Sequence, residues 1–144
     1  MSIWKKPVDL ALVARGDVGT LNEALGIRIL QLGEDYIRAS MPVDARTRQP
    51  FGLLHGGASV SLAETLGSLG AWMCVPPGGG NVVGIEINAN HLRAVREGEV
   101  IGTGRPLHIG RSTQVWEVRI TDPQERLVCI SRITLAVVPE TAPR

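Results

Sequence analysis

The chain has 144 residues, 44% hydrophobic and 20% charged, with a formal net charge of +1. That balance is the balance of one soluble globular domain spanning residues 1–144, long enough to bury most of its apolar surface. The near-neutral charge gives no global pull toward nucleic acid or membrane, so recognition of any anion must be local.

Met1 to Asp9 carries no apolar run of signal-peptide length, and no stretch is long and apolar enough for a membrane span. Two cysteines, Cys74 and Cys129, make no disulfide framework, and Cys129 sits inside the apolar run Leu127 to Ile130 as a buried thiol. A reducing cytoplasm is the expected location.

Pro7 to Leu25 mixes apolar positions at loose helical spacing with Gly16 and Gly19, and predicts a short helix and a turn. Ile27 to Leu32 predicts a strand, Gly33-Glu34-Asp35 a turn, and Tyr36 to Val43 a second strand paired with the first as a hairpin. In that second strand Ile37, Ala39, Met41 and Val43 alternate with Tyr36, Arg38 and Ser40, which places the latter three on the polar face. Asp44 to Leu54, with Arg46, Arg48, Pro50 and Gly52, reads as an ordered loop. From Gly57 to Cys74 the apolar positions leave no wide polar face, which predicts a buried helix, stopped by Pro76-Pro77 and three glycines.

Strands follow at Asn81 to Arg93, Glu99 to His108, Arg111 to Thr121 and Leu127 to Val138, with Asp122 to Glu125 as a hairpin turn between the last two. In the Arg111–Thr121 strand, Gln114, Trp116, Val118 and Ile120 face one way. Pro139 to Arg144 reads as a frayed tail. This order predicts an α+β fold in which one mainly antiparallel sheet curls around one central helix.

Between Gln49 and Ile85 the only fully charged side chain is Glu64, in the middle of the predicted buried helix. An ionised carboxylate there must be paired, protonated or functional; the plainer reading is a salt bridge to a distant arginine. Ser61 and Ser68, at i−3 and i+4, share its face. For Ser61 a bond back to its own helix carbonyl is preferred. Upstream stand Gln49 and His55-Gly56-Gly57, where free N–H groups at a helix N-terminus can polarise a carbonyl. Gly56 and Glu64 are eight residues apart, about 12 Å at ~1.5 Å per residue. One carbonyl cannot easily touch both on one straight helix, so a site using both must lie between two chains.

The stretch Met41-Pro42-Val43-Asp44 through Gln49-Pro50-Phe51-Gly52-Leu53-Leu54-His55-Gly56-Gly57 to Leu62-Ala63-Glu64 closely resembles bacterial hotdog-fold acyl-CoA thioesterases. The subclass is that of 4-hydroxybenzoyl-CoA thioesterase with its carboxylate on the central helix. The group includes 1,4-dihydroxy-2-naphthoyl-CoA thioesterase and the proofreading thioesterase of enterobactin synthesis. The likeness continues through Gly84 to Arg93, Arg96-Glu97-Gly98, Arg105 to Gly110, Val115-Trp116 and Ser131-Arg132, and so covers nearly the whole chain.

The resemblance implies hydrolysis of an acyl- or aroyl-CoA without a cofactor, in a homo-oligomer, a dimer or a homotetrameric dimer of dimers. Glu64 matches the carboxylate that attacks the thioester carbonyl or activates water. Gly56 matches the N–H that polarises the carbonyl, Gln49 and His55 match residues that orient the thioester and loop, and Ser68 matches the hydroxyl that holds the nucleophile or water. Gly84, the segment His91-Leu92-Arg93-Ala94, and the segment His108-Ile109-Gly110-Arg111-Ser112-Thr113 match CoA-binding positions. Arg93 and Arg111 are the natural phosphate partners, and Ser112, Thr113 and the Gly110 amide natural donors.

Two other classes fit parts of the pattern. A non-catalytic acyl-CoA sensor gains nothing from a buried carboxylate facing a thioester. A hydroxyacyl-thioester dehydratase needs a histidine paired with an acid, which His55 and Glu64 could imitate, but the surrounding motif differs. His55, His91 and His108 lack metal-ligand spacing, so no metal is expected.

Overall fold

A computed structural model describes residues 1–140. Two short helices open the chain, α1 (Leu10–Gly16) and α2 (Leu21–Leu25), where the sequence predicted one helix and a turn. Asp9 caps α1 by accepting from the N–H groups of Ala11 and Leu12, and Gly26 ends α2 at φ 71°, a left-handed conformation that suits glycine. There follow β1 (Arg28–Leu32), β2 (Ile37–Pro42), the long helix α3 (Gly56–Cys74), then β3 (Asn81–His91), β4 (Glu99–Ile109), β5 (Thr113–Thr121) and β6 (Leu127–Val138).

The six strands form one antiparallel sheet in the order β1-β2-β4-β5-β6-β3, open at both edges, and α3 packs across its inner face. This is the predicted α+β arrangement of a curled sheet around a central helix. Several predicted boundaries move by a residue or two, and those near the expected coenzyme A segments matter most. Arg93 lies beyond the end of β3, Ile109 belongs to β4, and Arg111 and Ser112 form the β4–β5 turn rather than the start of a strand. Ser40, placed on the polar face by alternation, is buried. Within the predicted tail, Pro139 and Glu140 are exposed and irregular, and residues 141–144 lie outside the described residues. Among the described residues no helix is long and apolar enough to cross a membrane.

The core is the inner face of the sheet (Ile37, Ala39 and Met41; Val100; Trp116, Val118 and Ile120; Ile133 and Leu135) closed by Leu62, Ala63, Leu66 and Met73 of α3. Cys74 and Cys129 are free and buried, and burial pushes the Cys74 thiol up to about 11. The buried Gln114 is fully engaged: it donates to the Ala71 carbonyl at 3.0 Å and accepts from the Trp116 indole at 3.0 Å, tying β5 to the helix.

The helix lies close on the sheet because it presents glycines there. A Cβ on Gly67 would meet Ile133, and a Cβ on Gly70 would fall 2.7 Å from the Trp116 ring. Trp116 cannot yield, being held by Gln114 and stacked on Trp4 with ring centroids 6.2 Å apart. Alanine favours a helix over glycine by about 1 kcal/mol, yet overpacking a filled core costs about 1–3 kcal/mol. Gly70→Ala is therefore expected to lower stability, by about 1 kcal/mol net, as a fall in the urea midpoint at unchanged slope. A midpoint equal to or above the native one would show that Trp116 has room to move.

Candidate active site

Glu64 lies midway along α3, half-buried, with its carboxylate over β3. A Cβ on Gly84 would stand 2.6 Å from Glu64 Oε1, so the missing side chain of Gly84 makes the room the carboxylate occupies. The β3–β6 register shifts between Gly84 and Glu86, a bulge beside this contact. The distant arginine does not materialise: among the described residues Glu64 forms no salt bridge. Burial raises its pKa above the ordinary value of a glutamate, with no charge or hydrogen bond offsetting the shift.

A cavity of about 330 Å³ opens beside it, lined by Ser68, Thr65 and Leu69 of α3 together with Val13, Asn22 and Ile29. Thr65 donates to Asn22 Oδ1 at 2.7 Å, fixing the α1–α2 segment as the cavity's outer wall. Ser61 bonds back to the Gly57 carbonyl at 2.9 Å, the helix-internal role preferred from its sequence. Neither Asn22 nor Ile29 carried a signal in the sequence; they reach Glu64 only through the fold.

The second group assembles at the start of α3. His55 is the N-cap, and its Nδ1 accepts from the Gly57 N–H at 2.8 Å. The Gly56 N–H has no hydrogen-bond partner among the described residues, leaving it free at the positive end of a 19-residue helix. His91 covers this end closely: a Cβ on Gly56 would lie 2.9 Å from His91 Nε2. The Gln49 carbonyl oxygen accepts from the Phe51 N–H, which turns the amide NH₂ outward as a donor. Gln49, Gly56, His91, Leu92, Arg93 and Ala94 line a cavity of about 410 Å³.

The expected site residues thus fall into two separate groups on one chain: Glu64 and Ser68 line one cavity, with Gly84 against Glu64, and Gln49, Gly56 and His91 line the other. The expected coenzyme A segments are divided in the same way. Arg93 sits with Gln49, its N–H on the Val128 carbonyl at 3.3 Å, at the start of β6. His108, Ile109 and Arg111 are exposed at the β4–β5 turn, where the Ser112 carbonyl accepts from Val137 at 2.9 Å, near the end of β6. Nine residues of strand, about 30 Å, separate Val128 from Val137. The Gly110 N–H, expected as a donor to the ligand, is committed to the Thr113 carbonyl at 2.9 Å, because it closes that turn.

The geometry offers a carboxylate with raised pKa, a free helix N-terminal N–H and an amide donor, which is the equipment of acyl transfer to water. Among the described residues no cluster of histidine, cysteine or acid can hold a metal.

Comparison with known proteins agrees. Residues 51–129 match the family model described as the thioesterase superfamily. The chain is 52% identical over 137 residues to 1,4-dihydroxy-2-naphthoyl-CoA hydrolase of Escherichia coli, covering 94% of this chain and 99% of the relative. It is 52% identical over 136 residues to the proofreading thioesterase EntH of Cronobacter turicensis, covering 94% and 98%. The crystal structure of a thioesterase from Haemophilus influenzae superposes with a TM-score of 0.94 at 47% identity, covering 97% of each chain. With these likenesses spanning nearly the whole chain, it belongs to the thioesterase superfamily and is a hotdog-fold thioester hydrolase.

Proposed function

We propose that the protein hydrolyses an acyl- or aroyl-coenzyme A thioester in the cytoplasm, at sites shared between two copies of the chain. The observation that carries this reading is the division of one chain into an acid half-site and a carbonyl-binding half-site along β3. β3 is an edge strand of 11 residues, paired only with β6, and it exposes Val83 (48%) and Ile85 (62%). A long apolar edge strand is a template for another strand. Antiparallel pairing of β3 with itself about a two-fold axis between Ile87 and Asn88 sets Gly84 of one copy opposite His91 of a second copy. Glu64 of the first then faces Gly56 and Gln49 of the second. The same axis draws the Arg111 end of one copy toward the Arg93 end of the other, so both arginines can serve one coenzyme A. A dimer is the smallest complete unit, and a dimer of dimers carries four such sites.

In such a site the Gly56 N–H and the Gln49 amide hold the thioester oxygen. Glu64 either takes a proton from a water that attacks the carbonyl carbon, or attacks it directly to give an anhydride that water then opens. In both routes the C–S bond breaks, the thiolate of coenzyme A leaves and is protonated, and the acid is released. Ser68, one turn beyond Glu64 and lining the same cavity, holds the water in this reading. The E. coli relative, named for an aroyl-CoA, supports a coenzyme A thioester as substrate.

Thiol release from a panel of aroyl- and alkanoyl-CoA esters tests the reaction; a chain that binds coenzyme A tightly yet releases thiol from none of them would be a sensor. Within the panel, Arg93→Ala and Arg111→Ala are each expected to lower kcat/KM for coenzyme A thioesters by about 10–100-fold, the worth of a charge-assisted phosphate contact. Truncated thioesters lacking the nucleotide should lose far less. Equal losses on both would assign the arginines to structure.

A further inference from the structure

We propose that the outer face of the sheet carries a phosphate-binding site, built by Arg38 of β2, Arg105 of β4 and Arg119 of β5 and separate from the thioester half-sites. The three arginines, with Tyr36, Thr103, Thr121 and Glu125, line a cleft of about 420 Å³. The register assembles it. Arg38 pairs with Thr103, and Thr103 pairs with Arg119, so two arginines flank one threonine in a single cross-strand row. At strand spacings of about 4.8 Å their backbones lie about 10 Å apart, a gap two arginine side chains can close around one small anion over Thr103. Arg105 enters from the next position on that face of β4.

The charges in this row are poorly compensated. Like charges brought together across a sheet destabilise it, yet Arg38 makes no salt bridge among the described residues, and its Nε is withdrawn from water without a hydrogen-bond partner. Arg119 has Glu117 only at 3.8 Å. Glu125, the acid on the rim, adopts a left-handed φ of 62° and forms no ion pair with the three. Arg105 is already fixed, with Nη1 2.7 Å from Asp35 and its guanidinium 4.8 Å above the Tyr36 ring.

Arginines from three strands lining one cleft, with Thr103 and Thr121 beside them, match the several peripheral oxygens of a phosphate better than the two of a planar carboxylate. Three arginines against the single acid Glu125 in the lining favour an anion as the occupant. The cleft is remote from thioester chemistry. It lies on the outer face, whereas Glu64 and His91 act on the inner face, and β3 stands three strands from β4.

Phosphate of this kind can come from a free phosphorylated metabolite or from the nucleotide of coenzyme A. Isothermal titration of the whole protein with inorganic pyrophosphate, at constant ionic strength, tests the site. Arg38→Gln and Arg119→Gln are each expected to weaken binding by at least about tenfold, while Arg15→Gln, on α1 and away from both the cleft and the thioester site, leaves it unchanged. Arg119 is half exposed, so its variant carries the test if Arg38→Gln fails to fold. Titration with coenzyme A then separates the sources. Parallel weakening in the same variants assigns the phosphate to coenzyme A, and unchanged coenzyme A binding assigns it to a separate phosphorylated ligand; either upholds the site. Absence of pyrophosphate binding by the native protein, or binding retained in the folded variants, overturns it.

Discussion

Replacing Glu64 by glutamine is expected to leave a folded protein whose turnover is lower by about 10²–10⁴-fold. The amide fills the same volume over Gly84, and among the described residues Glu64 has no ion pair to be broken. The loss should therefore be chemical and not structural. Thiol release by the variant, with its circular dichroism unchanged, is the measurement. Native turnover in a folded Glu64→Gln protein would remove this residue from the mechanism.

The same residue predicts a pH dependence whose sign follows from burial. Burial desolvates the charged form of Glu64 and so raises its pKa above the ordinary value of a glutamate. Whether it acts as base or nucleophile it must be ionised, so kcat/KM should fall as pH drops through that raised value, at a higher pH than for a solvated glutamate. Stability runs the other way. The folded chain holds the Glu64 proton more tightly than the unfolded chain, so stability is lost as pH rises from the unfolded pKa through the folded one. Glu64→Gln escapes that loss. It should be more stable than the native protein above this window and indistinguishable below it, as the gap between their urea midpoints across pH would show.

Glu64 was legible in the sequence because it stands alone: a single charge within a long apolar helix has few explanations. β6 was legible to its ends, Leu127 to Val138, because an apolar run bounded by a turn leaves little choice. The burial of Ser40 was not legible, because alternation reports which face a residue points to, and not whether another element covers that face. The contacts that shape the half-sites were out of reach for a related reason. Gly84 against Glu64, and His91 against Gly56, depend on how β3 registers with β6 and where α3 crosses it. No local pattern encodes that relation. The arginine row on the outer face is the same kind of feature: Arg38, Thr103 and Arg119 are unremarkable one by one and adjacent only through strand order.

Mixing two inactive proteins, Glu64→Gln and Gln49→Ala, is expected to restore activity. Along α3 about 12 Å separates Gly56 from Glu64, and on one chain the two open into different cavities, one holding Glu64 and Ser68 and the other Gln49 and Gly56. If a working site takes its acid from one copy and its carbonyl donors from the other, each homodimer of either variant has two broken sites. A mixed dimer has one site with both lesions and one with neither. Random exchange of equal amounts makes half the dimers mixed, so a quarter of all sites are intact, and the mixture should recover about a quarter of native turnover from parents reduced about 10²-fold or more. Exchange must be verified by mass, with differently tagged chains, and Gln49→Ala must be nearly inactive by itself. A site lying wholly within one chain gives no such rescue, because every chain in the mixture then carries a lesion in its own site. Mixed dimers that remain as inactive as their parents, or a stable monomer with native turnover, would exclude the shared site.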